Sequence, residues 1–510
     1  MIDILSLDVG VYGVNISENL FSELKFGFLS EMMRENLIKI SLTWNPQIIV
    51  QRQAIFRYLA ETPDFAEFIE SISEKIENII QFKSNNKKYM LRDNGNNERA
   101  FTEFRELLLF TECIDEISVG AKKFGASICG GRFEELFCRI DGIVQSMWYK
   151  NAKLYISRIS EELRNIKSLS LGVNLNAQLG VKEFGIISLN SEYYTTNSIF
   201  DKLFGQRGAK DYICITPVSG DAISYSGYSL DVLNQGLYRA ISDAVGASLR
   251  KSRKVIYNAL CDGTAFLLLL YNEFKFMTLA YKYIASMKGY GLPLCFPEVS
   301  CEYIIEGLYN PNFVGNIKSE KIVKNDMVFD ENGSIFILTG ANSGGKTAFL
   351  RSVGIAQILF QMGLPIPSYK AKMPLFKNVF SHFSSNTKDI NGGRFENECK
   401  DVIKFYEQAD ENSLVLLDEL FSTTSTTDGC VVSARILKRF AERGCKCIYT
   451  THMHALIYAI DEINSLENVK SRIDSLWAEF HGGACTYRIL RKRESQGSFA
   501  ESICEKYGFI

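Results

Sequence analysis

The sequence has no excess of charge of either sign, with 57 basic and 59 acidic side chains among 510 residues. Without a net basic field, the chain can contact nucleic acid only through a local patch. Its longest apolar block, residues 265–271, is too short to cross a bilayer. The first residues lack a basic n-region, and neither end resembles a lipid-attachment motif. These absences argue against secretion and membrane insertion.

The cysteines also lack a pattern. Thirteen of them are scattered without a repeating spacing, as is usual for a protein of the reducing cytoplasm. The chain has no internal repeat or low-complexity tract. Its hydrophobic content of 46% is ordinary for a globular protein. The length predicts about three domains. We therefore expect a globular, multidomain cytoplasmic protein.

The most informative motif is a glycine-rich run that contains Gly340, Gly345, Lys346 and Thr347 in the pattern G-x-x-x-x-G-K-[ST]. The apolar run before it, residues 334–338, predicts a buried strand, and a helical pattern follows it. This strand–loop–helix context indicates a phosphate-binding loop whose backbone N–H groups face a nucleotide. Lys346 is expected to reach the β- and γ-phosphates, and the Thr347 hydroxyl to bind Mg²⁺.

A second nucleotide motif lies downstream, where an apolar strand over residues 413–417 ends in Asp418 and Glu419. Asp418 is expected to hold Mg²⁺, and Glu419 to polarise the attacking water as a general base. The two motifs together predict that the chain binds and hydrolyses ATP with Mg²⁺. The predicted nucleotide ligands are Gly340, Ala341, Asn342, Ser343, Gly344, Gly345, Lys346, Thr347 and Asp418.

Two further features lie near the predicted site. A third strand, residues 447–450, ends just before His452, which we predict to sense the γ-phosphate and link its loss to domain movement. A hydroxyl-rich stretch, residues 422–427, is expected to cap a helix that starts near Gly429. Its hydroxyls could donate to a γ-phosphate held by a partner subunit. A plain helix cap without a partner is the alternative.

These motifs also fit two other interpretations. Cys445 and Cys447 with His452 and His454 have a spacing similar to that of zinc ligands. A central strand between the pairs would hold them apart, which argues against a metal site. Upstream of Asp418, residues 391–394 (Asn-Gly-Gly-Arg) leave open a signature of the transporter or chromosome-structuring ATPases.

The first part of the chain is predicted to be mostly helical, with helices after Pro46 and Pro63 and a polar surface loop over residues 82–99. A long amphipathic helix is expected over residues 133–166.

Beyond that helix the periodicity of the sequence changes. Residues 169–175, 184–189 and 211–216 predict strands. Helical periodicity resumes over residues 232–287, so that a β-rich insert lies between two helical stretches.

At these motifs the sequence resembles the MutS-type mismatch-repair ATPases. Residues 339–347 (T-G-A-N-S-G-G-K-T) are similar to that family's T-G-P-N-M-G-G-K-S, and the Asn-Asp pair at 325–326 is similar to its own pair. Residues 418–429 resemble D-E-I-G-R-G-T-S-T-Y-D-G. The Thr-His pair at 451–452 resembles the strand end A-T-H, and residues 497–500 resemble the closing segment of the family.

The resemblance implies a dimeric ATPase in which Ser425 of one subunit completes the site of the other. It implies binding to duplex or branched DNA, most simply as a homodimer, although a heterodimer would also fit. The implied fold is a mostly α-helical core and lever region with a small β-rich insert, followed by an ABC-type P-loop α/β ATPase domain. The expected domains are a helical core-like domain (1–125), lever helices (126–300) with a clamp-like insert (169–232), and the ATPase domain (301–510).

The sequence also departs from the family. We expect its mismatch-reading domain and connector to be absent. Three Phe-x-Glu tripeptides, at residues 65–67, 101–103 and 104–106, are better explained by core packing than as a mismatch reader. Residues 421–423 (Phe-Ser-Thr) replace Gly-Arg-Gly, which is expected to stiffen the loop.

Two rival functions remain. One is a break-repair or chromosome-structuring ATPase, which would need a long coiled coil between the two nucleotide motifs. The other is an ATP-gated scaffold with little or no hydrolysis.

Overall fold

The computed structural model of the chain describes most of its residues in two compact units. The described residues are 4–7, 10–30, 35–90, 96–125, 131–179, 181–193, 246, 249, 266–341, 344–383, 394–422, 424–481 and 484–492. The first unit comprises residues 1–2, 70–127 and 131–271, and the second unit residues 3–69, 128–130 and 272–510. Within the described part, no helix is both long and apolar enough to cross a membrane. The three-domain division expected from the sequence stays a prediction, because these units group residues only by contact.

The described helices and strands follow in chain order. The helices are α1 (Leu20–Leu24), α2 (Gly27–Ser30), α3 (Glu35–Ser41), α4 (Pro46–Glu61), α5 (Pro63–Met90), α6 (Asn96–Phe124), α7 (Gly131–Gln145), α8 (Met147–Arg164), α9 (266–289), α10 (Lys346–Gln361), α11 (Arg394–Gln408), α12 (Thr426–Arg443) and α13 (Ala459–Asn464). The strands are β1 (Asn15–Ile16), β2 (Ser168–Leu175), β3 (Val181–Asn190), β4 (Glu298–Val299), β5 (Tyr303–Leu308), β6 (Asn325–Phe329), β7 (Ile335–Gly340), β8 (Lys370–Met373), β9 (Asn378–Phe383), β10 (Ser413–Asp418), β11 (Lys446–Thr450), β12 (Ile473–His481) and β13 (Ala484–Arg491).

The first unit is built on long helices, and two predictions for it were wrong. The polar residues expected to form a loop over 82–99 lie largely in helices, because α5 continues to residue 90 and α6 begins at residue 96. The Lys83 ammonium lies 2.5 Å from the Glu106 carboxylate, so α5 and α6 contact each other through charged side chains. A polar stretch without proline is therefore helical here where the structure describes it.

The amphipathic stretch expected as one helix over residues 133–166 is two helices. α7 ends at Gln145, and Ser146 caps α8, its hydroxyl accepting the Tyr149 N–H at 3.3 Å. A serine that bonds the backbone of the next turn is a strong helix start, and it separates the two helices here.

The β-rich insert is confirmed where the structure describes it. β2 and β3 pair antiparallel, from Ser168 opposite Asn190 to Leu175 opposite Val181. The strand predicted at 211–216 and the rest of the insert up to residue 232 lie outside the described residues. Helical structure is confirmed at residues 266–289.

Phe65, Phe101 and Phe104 are all buried, which confirms the core-packing interpretation of the Phe-x-Glu tripeptides.

The second unit contains a seven-stranded sheet in the order β1-β9-β10-β11-β7-β12-β13. All its neighbouring strands are parallel except β12 and β13, which are antiparallel. β7, β10 and β11 are almost wholly buried and read as continuous apolar runs, as expected of strands covered on both faces. In such sheets the carboxyl ends of the strands form the ligand-binding edge.

An N-terminal segment completes this sheet. β1 pairs with β9 at one edge, Asn15 opposite Asn378 and Ile16 opposite Val379. α1 follows directly, and its buried Leu24 packs on α10, where a Cβ added at Gly354 would lie 2.6 Å from the Leu24 side chain. The absence of a side chain at residue 354 thus lets α1 approach α10 closely.

A second sheet of four strands, in the order β4-β8-β5-β6, lies in the same unit. The Asn-Asp pair at the start of β6 has two structural roles. The Asp326 carboxylate accepts the Gly307 N–H at 2.8 Å. Asn325 bonds β13, donating to the Tyr487 carbonyl at 3.1 Å and accepting the Ile489 N–H at 2.8 Å. This pair therefore connects the small sheet to the large one.

Candidate nucleotide-binding site

The glycine-rich loop lies between β7 and α10, at the carboxyl edge of the large sheet. Gly340 has a φ of 133°, and a Cβ there would lie 2.8 Å from the Cβ of Ala478 and 2.9 Å from its carbonyl oxygen. Gly345 has a φ of 89° and precedes the first turn of α10. Both positions require glycine, since other residues rarely adopt such angles. Asn342 and Ser343, predicted nucleotide ligands, lie outside the described residues.

Lys346 is the first residue of α10, and its side chain is only 4% exposed. Its ammonium donates hydrogen bonds to the carbonyls of Gly340 at 2.9 Å and Ala341 at 3.0 Å, so it lies folded over the loop. It also lies 3.9 Å from the Glu419 carboxylate. Burial lowers the Lys346 pKa, and the charges of Glu419 and Asp418 oppose that effect. The site therefore holds a desolvated cation that an anion would stabilise.

Asp418 ends β10, 5% exposed, beside the start of α10. Its carboxylate accepts the Thr347 hydroxyl at 3.1 and 3.0 Å and a second hydroxyl from Thr450 on β11. Burial raises the Asp418 pKa, while the bonds from Thr450 and Thr347 and the charge of Arg351 lower it. The predicted Mg²⁺ ligands Thr347 and Asp418 are thus adjacent. A hydroxyl and a carboxylate oxygen are donors that suit Mg²⁺, so the residues fit the ion.

Glu419 follows Asp418 in a strained turn. Its φ is 50°, and its N–H donates to the Thr450 carbonyl at 3.0 Å. A non-glycine residue in this region costs about 1–3 kcal/mol and persists only where its surroundings fix it. The Glu419 side chain is 31% exposed and faces Lys346, so a carboxylate lies at the mouth of the loop, where a general base is needed.

Two histidines, His452 and His454, follow β11, whereas the sequence prediction concerned only His452. His452 is exposed at the end of the strand, next to Thr451, whose N–H bonds the Leu338 carbonyl of β7 at 3.0 Å. His454 is the histidine whose pKa is lowered, first by burial and then by the positive charges of Lys346 and His452. Its ring lies 5.8 Å from that of Trp477. Sequence analysis assigned the site role to His452 alone.

Ser425 is the N-cap of α12, which begins at Thr426, three residues before the predicted start. Its hydroxyl accepts the Asp428 N–H at 3.2 Å and donates to the Asp428 carboxylate at 2.6 Å, and the pair is exposed. The predicted helix cap is therefore confirmed. The proposed action of Ser425 on the nucleotide of a second subunit stays a prediction.

The residues of the alternative zinc site do not gather into a metal-binding group in the described part of the structure. Cys445 is buried just before β11, and Cys447 is buried within it. Burial raises the pKa of Cys445 to about 12 and raises that of Cys447 well above its ordinary value. No group of three or more His, Cys, Asp or Glu side chains suited to a metal ion occurs among the residues that the structure describes.

A cleft of about 750 Å³ opens beside the glycine-rich loop. Charged and hydroxyl side chains in its lining include those of Lys346, Thr347, Glu419, Lys321 and Arg351. Aromatic and aliphatic side chains also line it, among them Phe313, Ile317, Ile322 and Tyr487, together with the amide of Asn325. The volume is in the usual range for a small-molecule site, and the combination of apolar and charged side chains suits an amphipathic ligand.

Tyr487, which lines this cleft, is held in a left-handed conformation with a φ of 60°. The Asn325 side chain bonds the backbone on both sides of the next residue, as described above. The Tyr487 ring lies over the loop, 3.3 Å from where a Cβ of Gly345 would be. The ring is 52% exposed, and its open side faces the cleft.

The structure thus brings Lys346, Thr347, Asp418 and Glu419 together as the sequence indicates. Sequence analysis missed Thr450 and Tyr487. A threonine at the end of a strand next to an Asp-terminated strand was an available signal for Thr450, because the carboxyl ends of neighbouring parallel strands meet. No local pattern marks Tyr487, since it reaches the loop through strand pairing.

The sequence of this region is similar to that of known proteins. Residues 336–506 match the family model described as MutS domain V. The DNA mismatch repair protein MutS of Prochlorococcus marinus (strain MIT 9312) is 33% identical over 167 residues, which is 32% of this chain and 18% of that protein. The MutS of Thermotoga maritima is 34% identical over 181 residues, 35% of this chain and 22% of that protein.

A longer match is weaker. The MutS of Rickettsia typhi is 26% identical over 334 residues, 64% of this chain and 35% of that protein. The chain therefore matches only 18% to 35% of the length of these relatives. Residues 336–506, which match the family model, include Lys346, Asp418 and Glu419 of the candidate site.

Proposed function

Because residues 336–506 match the family model of MutS domain V, we propose that this chain belongs to the MutS family, and that it binds ATP with Mg²⁺ in the cleft beside the glycine-rich loop and hydrolyses it. The parallel sheet with this loop between β7 and α10 supports a P-loop ATPase fold of the ABC type. The observation that carries the proposal is the arrangement of four side chains: Lys346, Thr347 and Glu419 line the cleft, and Asp418 accepts the Thr347 hydroxyl behind them.

Each side chain has a distinct role in the proposal. Lys346, now bonded to loop carbonyls, releases them to bind the β- and γ-phosphates, a step favoured because its charge is desolvated. Thr347 and Asp418 would hold Mg²⁺, and the ion would supply positive charge that offsets the charge of the phosphates. Glu419 orients and deprotonates the attacking water. His452, at the neighbouring strand end, senses the γ-phosphate.

The aromatic and aliphatic side chains that line the cleft suit the nucleoside. Phe313 and Tyr487 present rings on which a base can stack, and Ile317 and Ile322 provide apolar contacts. The Asn325 side chain is already bonded to β13, so its contribution is to fix Tyr487 rather than to read the base. These side chains favour a purine base because it offers a large area for stacking and apolar contact, and not because they form specific hydrogen bonds with it.

At the level of the assembly, we propose a homodimer with composite sites that acts on duplex or branched DNA in a mismatch-repair-related role. The support is the family match and the position of Ser425 at an exposed helix N-terminus, where a hydroxyl could donate to a phosphate of a second subunit. ATP binding would close the dimer on DNA in a clamp-like manner, and hydrolysis would reopen it. Recognition of mismatches is not part of the proposal.

The test measures ATP binding and turnover in the full chain and in two variants. Lys346→Ala should lose ATP binding, because Lys346 is the cation that lies folded over the loop and bonds the carbonyls of Gly340 and Ala341. Glu419→Gln should keep ATP binding and lose turnover by a factor of about 10²–10⁴, as expected for removal of a general base. Equal turnover in wild type and Glu419→Gln would refute the ATPase assignment.

A second measurement tests the DNA proposal. Homoduplex, mismatched and junction DNA are compared for their effect on turnover and for binding at several stated salt concentrations, because phosphate contacts make the affinity salt-dependent. Turnover that changes with DNA supports the proposal. No binding to any of the three DNAs would contradict it.

A second candidate function is an ATP-gated scaffold with little hydrolysis. The observation that favours it is Phe421, which takes a left-handed φ of 60° inside the loop after Glu419 and is buried. Such a fixed loop could hold ATP without fast turnover. Bound ATP that is not hydrolysed by wild type, together with a nucleotide-dependent change in oligomeric state, would establish this function instead.

A further inference from the structure

The loop between β10 and α12 connects Glu419 at its start to the helix cap Ser425 at its end. Phe421 lies between them with a φ of 60°, and its side chain is only 1% exposed. A phenylalanine in the left-handed region is strained, unlike a glycine. The conformation must therefore be maintained by contacts around the loop.

One helix supplies the contacts to Phe421. Glu398 on α11 accepts the Phe421 N–H at 2.7 Å and is itself 2% exposed. A buried carboxylate that accepts a backbone N–H forms a strong, charge-assisted bond. The Phe421 ring lies 5.1 Å from that of Phe395, on the first turn of the same helix. One turn of α11 thus fixes both the backbone and the side chain of Phe421.

The other side of the loop is fixed by β11. The Glu419 N–H donates to the Thr450 carbonyl at 3.0 Å. The Tyr449 hydroxyl donates to the Leu420 carbonyl at 3.3 Å and lies 2.7 Å from the Ser433 hydroxyl. Three successive residues of the loop are therefore anchored, two by a strand of the sheet and the third by α11.

We propose that Phe421 and Glu398 are positioning residues that direct the Glu419 carboxylate for hydrolysis, and that α11 controls the rate through them. The inference rests on the proposed ATPase function. Neither residue is among those that line the described cleft, so their effect on the nucleotide passes through the backbone of the loop. A displacement of α11 would move Phe421 and, two residues away, the carboxylate that faces Lys346.

The first experiment separates positioning from binding. Glu398→Ala and Phe421→Ala should each lower kcat by roughly 10- to 100-fold, the scale expected for a misplaced catalytic group. Nucleotide affinity, measured by fluorescence of a labelled ATP, should stay within about twofold, because an interaction used only in the transition state is removed. Glu398→Gln should restore most of the rate, since its amide oxygen can accept the Phe421 N–H.

Two matched controls lie on the same helix. Phe405→Ala removes another buried ring of α11, which stacks on Phe380 at 5.1 Å and is remote in sequence from the loop contacts. Glu396→Gln changes an exposed carboxylate in the first turn. Both should keep the wild-type kcat, and Phe405→Ala shows how much of any change comes from lost stability alone.

The variant Phe421→Gly separates two effects on the rate: loss of the contact that anchors the Phe421 ring, and relief of the backbone strain at residue 421. Glycine adopts the left-handed angle freely but loses the ring contact. If anchoring is what matters, Phe421→Gly should be as slow as Phe421→Ala. A kcat above that of wild type in Phe421→Gly or Phe421→Ala would overturn the proposal. An unchanged kcat in both Glu398→Ala and Phe421→Ala would overturn it as well.

A second readout does not depend on activity. Hydrogen–deuterium exchange of the Phe421 amide should be slow in wild type and at least about tenfold faster in Glu398→Ala, because the amide loses its acceptor. If wild type has no turnover, the ATPase assignment fails and this exchange measurement alone decides whether the anchor exists. Equal exchange in the two proteins would show that it does not.

Discussion

The Glu23 carboxyl of α1 should make the stability of the second unit depend on pH near neutrality. It accepts hydrogen bonds from the Ser381 hydroxyl and, at 3.3 Å, from the Phe383 N–H at the end of β9. Burial raises its pKa to about 7 from an ordinary 4.5; the two hydrogen bonds lower it, Asp401 adds repulsion, and Arg351 lowers it. The carboxyl is therefore protonated in the folded protein over a range in which it is ionised in the unfolded chain.

The sign and size of the effect follow from these two values. Below about pH 4.5 both states are protonated, so the group contributes no pH dependence. Between about pH 4.5 and 7 the folded state holds a proton that the unfolded state lacks, so stability falls as pH rises. At 1.36 kcal/mol for each pH unit between the two pKa values, the total loss is about 3 kcal/mol. Above that range the loss is constant.

The perturbation is Glu23→Gln, which keeps the size of the side chain and one acceptor oxygen but cannot ionise. Urea unfolding is followed by tryptophan fluorescence in a Trp148→Phe background, so that Trp44 and Trp477 report on the second unit. As pH rises from about 4.5 to 7, the variant should gain about 3 kcal/mol of unfolding free energy relative to its parent.

The control for this experiment is Glu18→Gln, which removes an exposed carboxylate five positions earlier in the same segment. Its unfolding free energy should follow that of the parent at every pH. If the curves of Glu23→Gln and the parent also run parallel from about pH 5 to 8, the buried carboxyl does not titrate as argued and the reasoning is wrong.

Two further predictions concern packing near the site. Gly340→Ala should abolish ATP binding and lower the thermal midpoint of unfolding, because the added Cβ would lie 2.8 Å from that of Ala478 in a backbone conformation that alanine resists. The control Gly289→Ala, with no atom within 4 Å of the added Cβ, should change neither quantity. Normal nucleotide affinity in Gly340→Ala would contradict the geometry of the loop. Leu24→Ala should destabilise the second unit by about 2–5 kcal/mol, as for other buried leucines. Urea unfolding gives this value, and a loss below about 1 kcal/mol would mean that α1 does not pack on α10 at Gly354.

The elements around the site could be predicted from sequence because each signal is local. The apolar runs that form β7, β10 and β11 end at their functional residues, and the glycine-rich loop joins one strand to the next helix. Parallel pairing then brings these strand ends to one edge without further information. Lys346, Thr347, Asp418 and Glu419 are therefore correctly grouped by motif and order alone.

The parts that were missed depend on contacts between distant residues. β1 has only two residues and becomes a strand because β9 offers a parallel edge. Glu398 looks like one more acidic residue of an amphipathic helix until its carboxylate is seen to accept the Phe421 N–H. Polar composition over residues 82–90 was mistaken for a loop, although hydrophilic residues can occupy a solvated helix equally well.

The edge strand near the N-terminus has a consequence for how the chain matures on the ribosome. Asn15 and its neighbour Asn378 are 363 residues apart, and all of the first unit except residues 1–2 is synthesised between them. At usual translation rates of about 5–20 residues per second, the early strand waits roughly 20–70 s for the edge it will join. During that interval its unpaired backbone is open to incorrect partners, so successful assembly of the seven-stranded sheet depends on the N-terminal segment remaining available until the last third of the protein emerges.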